Sequence, residues 1–124
     1  MRSAEIVGLQ GFTSLIPADV FEVIFNETGL RVRVEPEDDG LTIAFDDLIG
    51  FRLLDEGDLL EFWGDTERLI GWVYEVKSGG WLELESSRSG FLSTDRGLLE
   101  YLVATQNTCL SVLAFNSPTM VQDR

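Results

Sequence analysis

Carboxylates are the main chemical resource of this chain. It carries 22 Asp and Glu, a single cysteine and no histidine. A pair of carboxyl groups at a set separation is enough for glycoside hydrolysis. With so many acids some pair falls near that separation by chance, and no spacing singles one out. Glu35, Glu37, Asp39 and Asp46 occupy positions one, three, five and twelve of a calcium-loop count, with Gly40 at six. The context argues against it: Pro36 interrupts the loop, Thr42 takes position eight, and Asp closes it where Glu is needed. Strand-like alternation, not helix, flanks it on both sides, so an acidic hairpin turn is the better reading and no metal is expected. A serine or cysteine nucleophile needs an adjacent base, and without histidine the commonest one is missing. Cys109 lies in an uncharged apolar run, where a thiol is inert. No glycine-rich phosphate cradle precedes a helix. The chain is therefore read as non-enzymatic, with no catalytic residue and no cofactor.

The same acids say more about partners than about reactions. Nine Lys and Arg leave a formal net charge of −13 at pH 7. Phosphate backbones and anionic lipid are bound through basic residues, so neither nucleic acid nor a membrane surface is an expected partner. A basic protein is, because opposite charge steers association. Half of the acids, eleven of 22, fall between Glu35 and Asp65, with Arg52 the one base among them. Phe62 and Trp63 sit inside this field, and aromatic anchors within a charged rim are what tight interfaces use. The candidate contact residues are Asp55, Glu56, Asp58, Glu61, Trp63 and Asp65. A purely solvating acidic face is the competing reading, and composition alone weighs the two equally. Trp72 alternates with Tyr74 and Val76 and reads as core. Trp63 and Trp81 neighbour acids and read as either anchors or core.

The elements that must position these residues are mostly strands. A 124-residue chain with 44% apolar residues and eight Phe fits one domain, residues 1–124, with a real core. Leu30, Val32 and Val34 alternate with Arg31, Arg33 and Glu35, and Leu41, Ile43 and Phe45 repeat the pattern after a Pro-Asp-Gly turn, which predicts a hairpin. Phe21, Val23 and Phe25 predict a strand before it, with a helix over 18–25 as the alternative. Ile49, Phe51 and Leu53 alternate likewise, whereas Leu59 to Trp63 fits a short helix or a strand. A second hairpin is expected from Trp72 to Val76, turning at Lys77-Ser78-Gly79-Gly80 and returning over Trp81 to Glu85. Ser86 to Gly97 reads as a surface loop with room for one helical turn. From Tyr101 to Gln122 there is no charged residue. That predicts a hairpin about Gln106-Asn107, central in its sheet and covered on both faces, with Asn in a left-handed turn and Pro118 ending the pairing. The fold class is α+β, predominantly antiparallel β: a curved sheet or partly closed barrel with one or two short helices.

Compartment follows from what the chain lacks. One cysteine cannot form an internal disulfide. No run of about 18 apolar residues offers a membrane span. Glu5 and Gly8 break the only candidate signal sequence. A cytoplasmic location is expected.

Three stretches carry a resemblance: Phe45-Asp-Asp-Leu-Ile-Gly-Phe-Arg-Leu-Leu-Asp-Glu-Gly-Asp58, Gly71-Trp-Val-Tyr-Glu-Val76, and Tyr101-Leu-Val-Ala-Thr-Gln-Asn-Thr-Cys-Leu-Ser-Val-Leu113 with Pro118 downstream. Together they resemble bacterial immunity proteins of contact-dependent growth inhibition and other polymorphic toxin systems. The resemblance implies a small, cytoplasmic, non-enzymatic antitoxin, often acidic, that binds a cognate C-terminal toxin domain as a one-to-one heterodimer. The toxin is frequently a basic nuclease, inhibited by active-site occlusion or from an exosite. No functional residue carries over position by position, so the site residues named above rest on charge and aromatics. A small-ligand-binding β-barrel, lined by Phe and Trp, is the alternative function, and an accessory subunit of an assembly is a third.

Overall fold

Alternating apolar residues require a buried face, and the chain supplies it by packing two antiparallel sheets together. The computed structural model describes residues 5–9, 19–34, 41–55, 72–91 and 97–122. In chain order the elements are β1 (Glu5–Gly8), β2 (Val20–Asn26), β3 (Gly29–Val34), β4 (Leu41–Phe45), β5 (Leu48–Asp55), β6 (Val73–Ser78), α1 (Trp81–Ser86), β7 (Leu99–Ala104), β8 (Thr108–Ala114) and β9 (Thr119–Gln122). One sheet has five strands in the order β1-β6-β7-β8-β5, and the other has four in the order β2-β3-β4-β9. The sheets are not closed into a barrel. The α+β, mainly antiparallel class holds, with two sheets where the sequence suggested one curved sheet.

Most strands fall where alternation places them. β2 is a strand and not a helix, in keeping with its Val, Phe and Ile content. It pairs with β3 across a turn in which Asn26 Oδ1 accepts from the Thr28 N–H at 2.9 Å and its hydroxyl at 2.6 Å. Gly29 follows at φ 116°, and a Cβ there would lie 2.4 Å from the Phe45 carbonyl oxygen, so only glycine fits. The β3–β4 hairpin forms as expected, with Val32 opposite Ile43. Its acidic turn, 35–40, lies outside the described residues. Thr42 is in β4 and Asp46 just beyond it, so extended strand stands where the second half of a calcium loop would run.

The charge-free C-terminal stretch does form the centre of a sheet. Every residue of β7 from Glu100 to Ala104, and of β8 from Cys109 to Ala114, is buried. On one face Tyr101, Val103, Leu110, Val112 and Ala114 meet Leu30, Val32, Val34, Ile43 and Phe45 of the four-stranded sheet. On the other, Leu102, Ala104 and Cys109 pack with Tyr74 and Val76. Each such side chain contributes about 1.5–3 kcal/mol when fully buried. The rings of Phe45 and Tyr101 link the sheets at 5.9 Å, and the Tyr101 hydroxyl is 3.1 Å from that of Ser117. The hairpin turns at Gln106–Asn107, but without a left-handed residue: no described non-glycine residue has positive φ. Thr105 holds it instead, its N–H and hydroxyl both donating to the Thr108 carbonyl at 2.9 and 2.6 Å.

Two expectations are corrected. Trp81 to Glu85 is not a returning strand but helix α1. Its Leu and Glu favour a helix, no β-branched residue opposes one, and the buried carboxylate of Glu100 accepts the Trp81 and Leu82 N–H groups at 3.1 and 2.8 Å. The place beside β6 goes to β7 and β1 instead. Nor does pairing stop at Pro118: β8 leaves the five-stranded sheet at Ala114, and β9, directly after Pro118, pairs with β4 in the other sheet. Consequently Leu41–Asp55 and Thr108–Gln122 run alongside each other through both sheets, as β4 with β9 and β5 with β8. Both segments cross between sheets at one corner, where the Phe115 N–H donates to the Asp47 carbonyl at 2.9 Å.

Candidate functional site

Of the six residues singled out from the sequence, only Asp55 lies among the described residues. It ends β5, opposite Thr108. Glu56, Asp58, Glu61, Trp63 and Asp65 lie outside them. The described residues on either side, Asp55 and Trp72, sit at the same end of the five-stranded sheet as the exposed Gln106 and Asn107, for the Ala104 N–H donates to the Trp72 carbonyl at 2.7 Å. Asp19 is there too, its Oδ1 accepting from the Thr108 hydroxyl at 2.6 Å.

The other two tryptophans serve the fold. Trp72 is fully buried. Trp81 is half-buried on α1, where its indole N–H donates to Glu85 Oε2 at 2.9 Å and the Arg52 guanidinium sits 5.1 Å from the ring centre. Arg88 completes the group at 2.8 Å from Glu85 Oε1. The Arg88 and Trp81 hydrogen bonds hold the Glu85 carboxyl below its ordinary value of 4.5. This cluster, with the Glu100 cap, fastens α1 to its sheet.

The described basic residues are engaged within the protein. Arg31 lies 3.6 Å from Asp46, Arg33 2.9 Å from Glu22 and Lys77 3.0 Å from Glu75. With Arg52 and Arg88 engaged as above, each described base is matched by an acid or a ring. The outward field is therefore set by the surplus acids.

At the sheet-switching corner those acids meet exposed apolar side chains. Asp46 and Asp47 form the bend between β4 and β5, and the Asp46 side chain is 71% exposed despite Arg31. Glu27, also exposed, is in the neighbouring β2–β3 turn. Phe25 is 60% exposed at the end of edge strand β2, its ring 5.9 Å from that of Phe51 on β5. Leu53 follows Phe51 on the same face, 50% exposed, and Ile49 at the β5 bulge is 41% exposed. An acidic rim about aromatic and aliphatic side chains is thus present among the described residues, centred on β5. Asp46 and Asp47 counted among the clustered acids in the sequence. Phe25, Ile49 and Leu53 did not stand out, because alternation assigns them to a core and only their edge placement exposes them.

No family model matches the chain, and neither curated proteins nor solved structures give a match. Among the described residues no helix is long and apolar enough to cross a membrane.

Proposed function

We propose that this protein is an immunity protein: a non-enzymatic inhibitor that binds one basic toxin domain, of the nuclease class, and neutralises it in a one-to-one complex. The observation that carries the reading is the surplus of acid, −13 on 124 residues, with half of it gathered over 35–65. The internal matching of the described bases supports it, since it leaves the acids facing a partner. A nuclease must be basic to hold a phosphate backbone. An acidic inhibitor uses that same field for fast and selective association. Asp55, Glu56, Asp58, Glu61, Trp63 and Asp65 remain the proposed contacts of the acidic segment.

The barrel alternative required an open interior. Among the described residues the sheets are unclosed and buried side chains of both meet between them, which favours the inhibitor reading. Its test is a pull-down against the product of the gene immediately upstream, with growth followed on co-expression. A stable complex together with rescue from a toxic C-terminal domain is the expected result. The absence of both complex and rescue would overturn it.

A further inference from the structure

Eight large apolar side chains are exposed among the described residues, and their neighbours set them apart. Ile24 and Val121 lie on the outer face of the four-stranded sheet, in the cross-strand rows of Arg31 and Arg33. Val7 on β1, Leu84 on α1 and Met120 on β9 each stand on a different element. The other three, Phe25, Ile49 and Leu53, gather where β2 and β5, end strands of the two sheets, come together. The rings of Phe25 and Phe51 meet there at 5.9 Å. Counted from Phe51, the two-residue period puts Ile49 and Leu53 on the same face of β5. That face turns towards the core, against which Phe51 packs. With Phe25 at 60% and Leu53 at 50% exposure, the apolar seam between the sheets opens to solvent along this side.

Charge marks one end of the seam. Glu27 in the β2–β3 turn and Asp46 and Asp47 in the β4–β5 bend are all exposed. Turn and bend touch, for a Cβ on Gly29 would lie 3.1 Å from Asp46 Cα. Three carboxylates therefore stand at the Phe25 end against one base, Arg31, which is 3.6 Å from Asp46. These neighbours select an occupant. A second copy of this chain would bring its own surplus of acid against them, at a like-charge cost. A basic protein meets both halves of the pattern, with an aromatic or aliphatic side chain for the seam and lysine or arginine for the acids. The outer face that carries Ile24 and Val121 does not suit it, because there the apolar side chains stand in line with guanidinium groups.

We propose that the seam at Phe25, Ile49 and Leu53 is the anchor site of the basic partner, taking an aromatic or aliphatic side chain that has lysine or arginine beside it. Glu27, Asp46 and Asp47 receive the cation, and the apolar contact supplies the hold. This rests on the basic-partner reading above and gives that partner an anchor outside the 55–65 segment.

The first arm tests access in the free protein. Cys109, the sole cysteine, is fully buried, so in Phe25→Cys or Leu53→Cys the introduced thiol is the one a reagent reaches. Both variants are expected to react within about tenfold of their rate in urea, and protection of both would overturn the inference. The second arm is an NMR titration of the full chain with a hexapeptide carrying tryptophan and leucine between two lysine pairs, against the same peptide with glutamate pairs. Shifts confined to Phe25 to Glu27 and Asp46 to Leu53, with the lysine peptide alone, are expected. Equal shifts with both peptides, no shifts, shifts elsewhere, or dimerisation of the free protein through this seam would each overturn it. The third arm uses the toxin domain of the co-expression test. Phe25→Ala with Leu53→Ala should lose at least about tenfold in affinity, which is about 1.4 kcal/mol, whereas Ile24→Ala, on the opposite face of β2, should stay within about twofold. If the double variant binds as the wild type does, the anchor site fails while the inhibitor reading stands. If the wild type binds no toxin domain, the inhibitor reading fails, and the thiol and peptide arms still decide the seam.

Discussion

Gly80 sits where a single methyl group has no room. A Cβ at this position would lie 2.7 and 2.8 Å from the two Glu100 carboxylate oxygens and 2.8 Å from Val76 Cγ1. Its φ of −109° is ordinary, so the constraint is contact and not backbone strain. Gly80→Ala must therefore displace the carboxylate that caps α1, and is expected to cost about 1–3 kcal/mol in urea denaturation. A second residue-level expectation concerns Glu85. Its carboxyl titrates lower in the folded protein than in the unfolded chain, so what it adds to stability is present above its ordinary value and is lost as pH falls through the lowered one. Arg88→Ala should move the Glu85 titration, followed by carboxyl NMR, up towards 4.5, and an unmoved titration would show that Arg88 is not the cause. The sequence marked Gly80 only as a turn residue and Glu100 not at all, because their relation spans about twenty positions and only the fold brings them together.

Strands were legible wherever one face must be buried, since period-two alternation and burial are then the same fact. That accounts for β3 and β4, whereas the central β7–β8 hairpin was legible from its lack of charge, both of its faces being covered. Helix α1 was not legible, for Trp-Leu-Glu-Leu-Glu alternates as a strand does while its Leu and Glu also suit a helix. The deciding contact is Glu100, which local sequence does not reveal. The division into two sheets was hidden for a related reason: Asp46–Asp47 reads as an ordinary turn although it is a crossing between layers. Burial differences across one ladder make this measurable. Leu110 and Leu53 face each other across β8 and β5, the first fully buried and the second half-exposed. Leu110→Ala is expected to cost about 2–5 kcal/mol and Leu53→Ala less than about 1 kcal/mol, by thermal or denaturant unfolding.

For the molecule as a whole, the acids act at a distance before any contact forms. At physiological ionic strength the screening length is about 8 Å, so charges at the contact face dominate the approach of a basic partner. Reversing Asp55, Glu56, Asp58 and Glu61 together to lysine should slow association with the toxin domain about tenfold or more and flatten its salt dependence, measured by stopped flow. Unchanged kinetics would remove that segment from the interface. The acidic balance was fully legible, because charge is a sum that needs no fold. What composition could not supply was where the apolar anchors surface, since Phe25 and Leu53 carry core-like patterning and owe their exposure to lying at sheet edges.

The ribbon formed by Leu41–Asp55 and Thr108–Gln122 also governs the order in which the protein can be made. The two strands that complete both sheets, β8 and β9, are synthesised after everything they pair with. A nascent chain stopped before Thr108 lacks the strand that joins β7 to β5 and the second partner of β4, and among the described residues β5 then has no strand on either side. Native pairing of β5 with β8 and of β4 with β9 therefore waits on the last strands to be made, so the earlier strands exist for an interval without those partners.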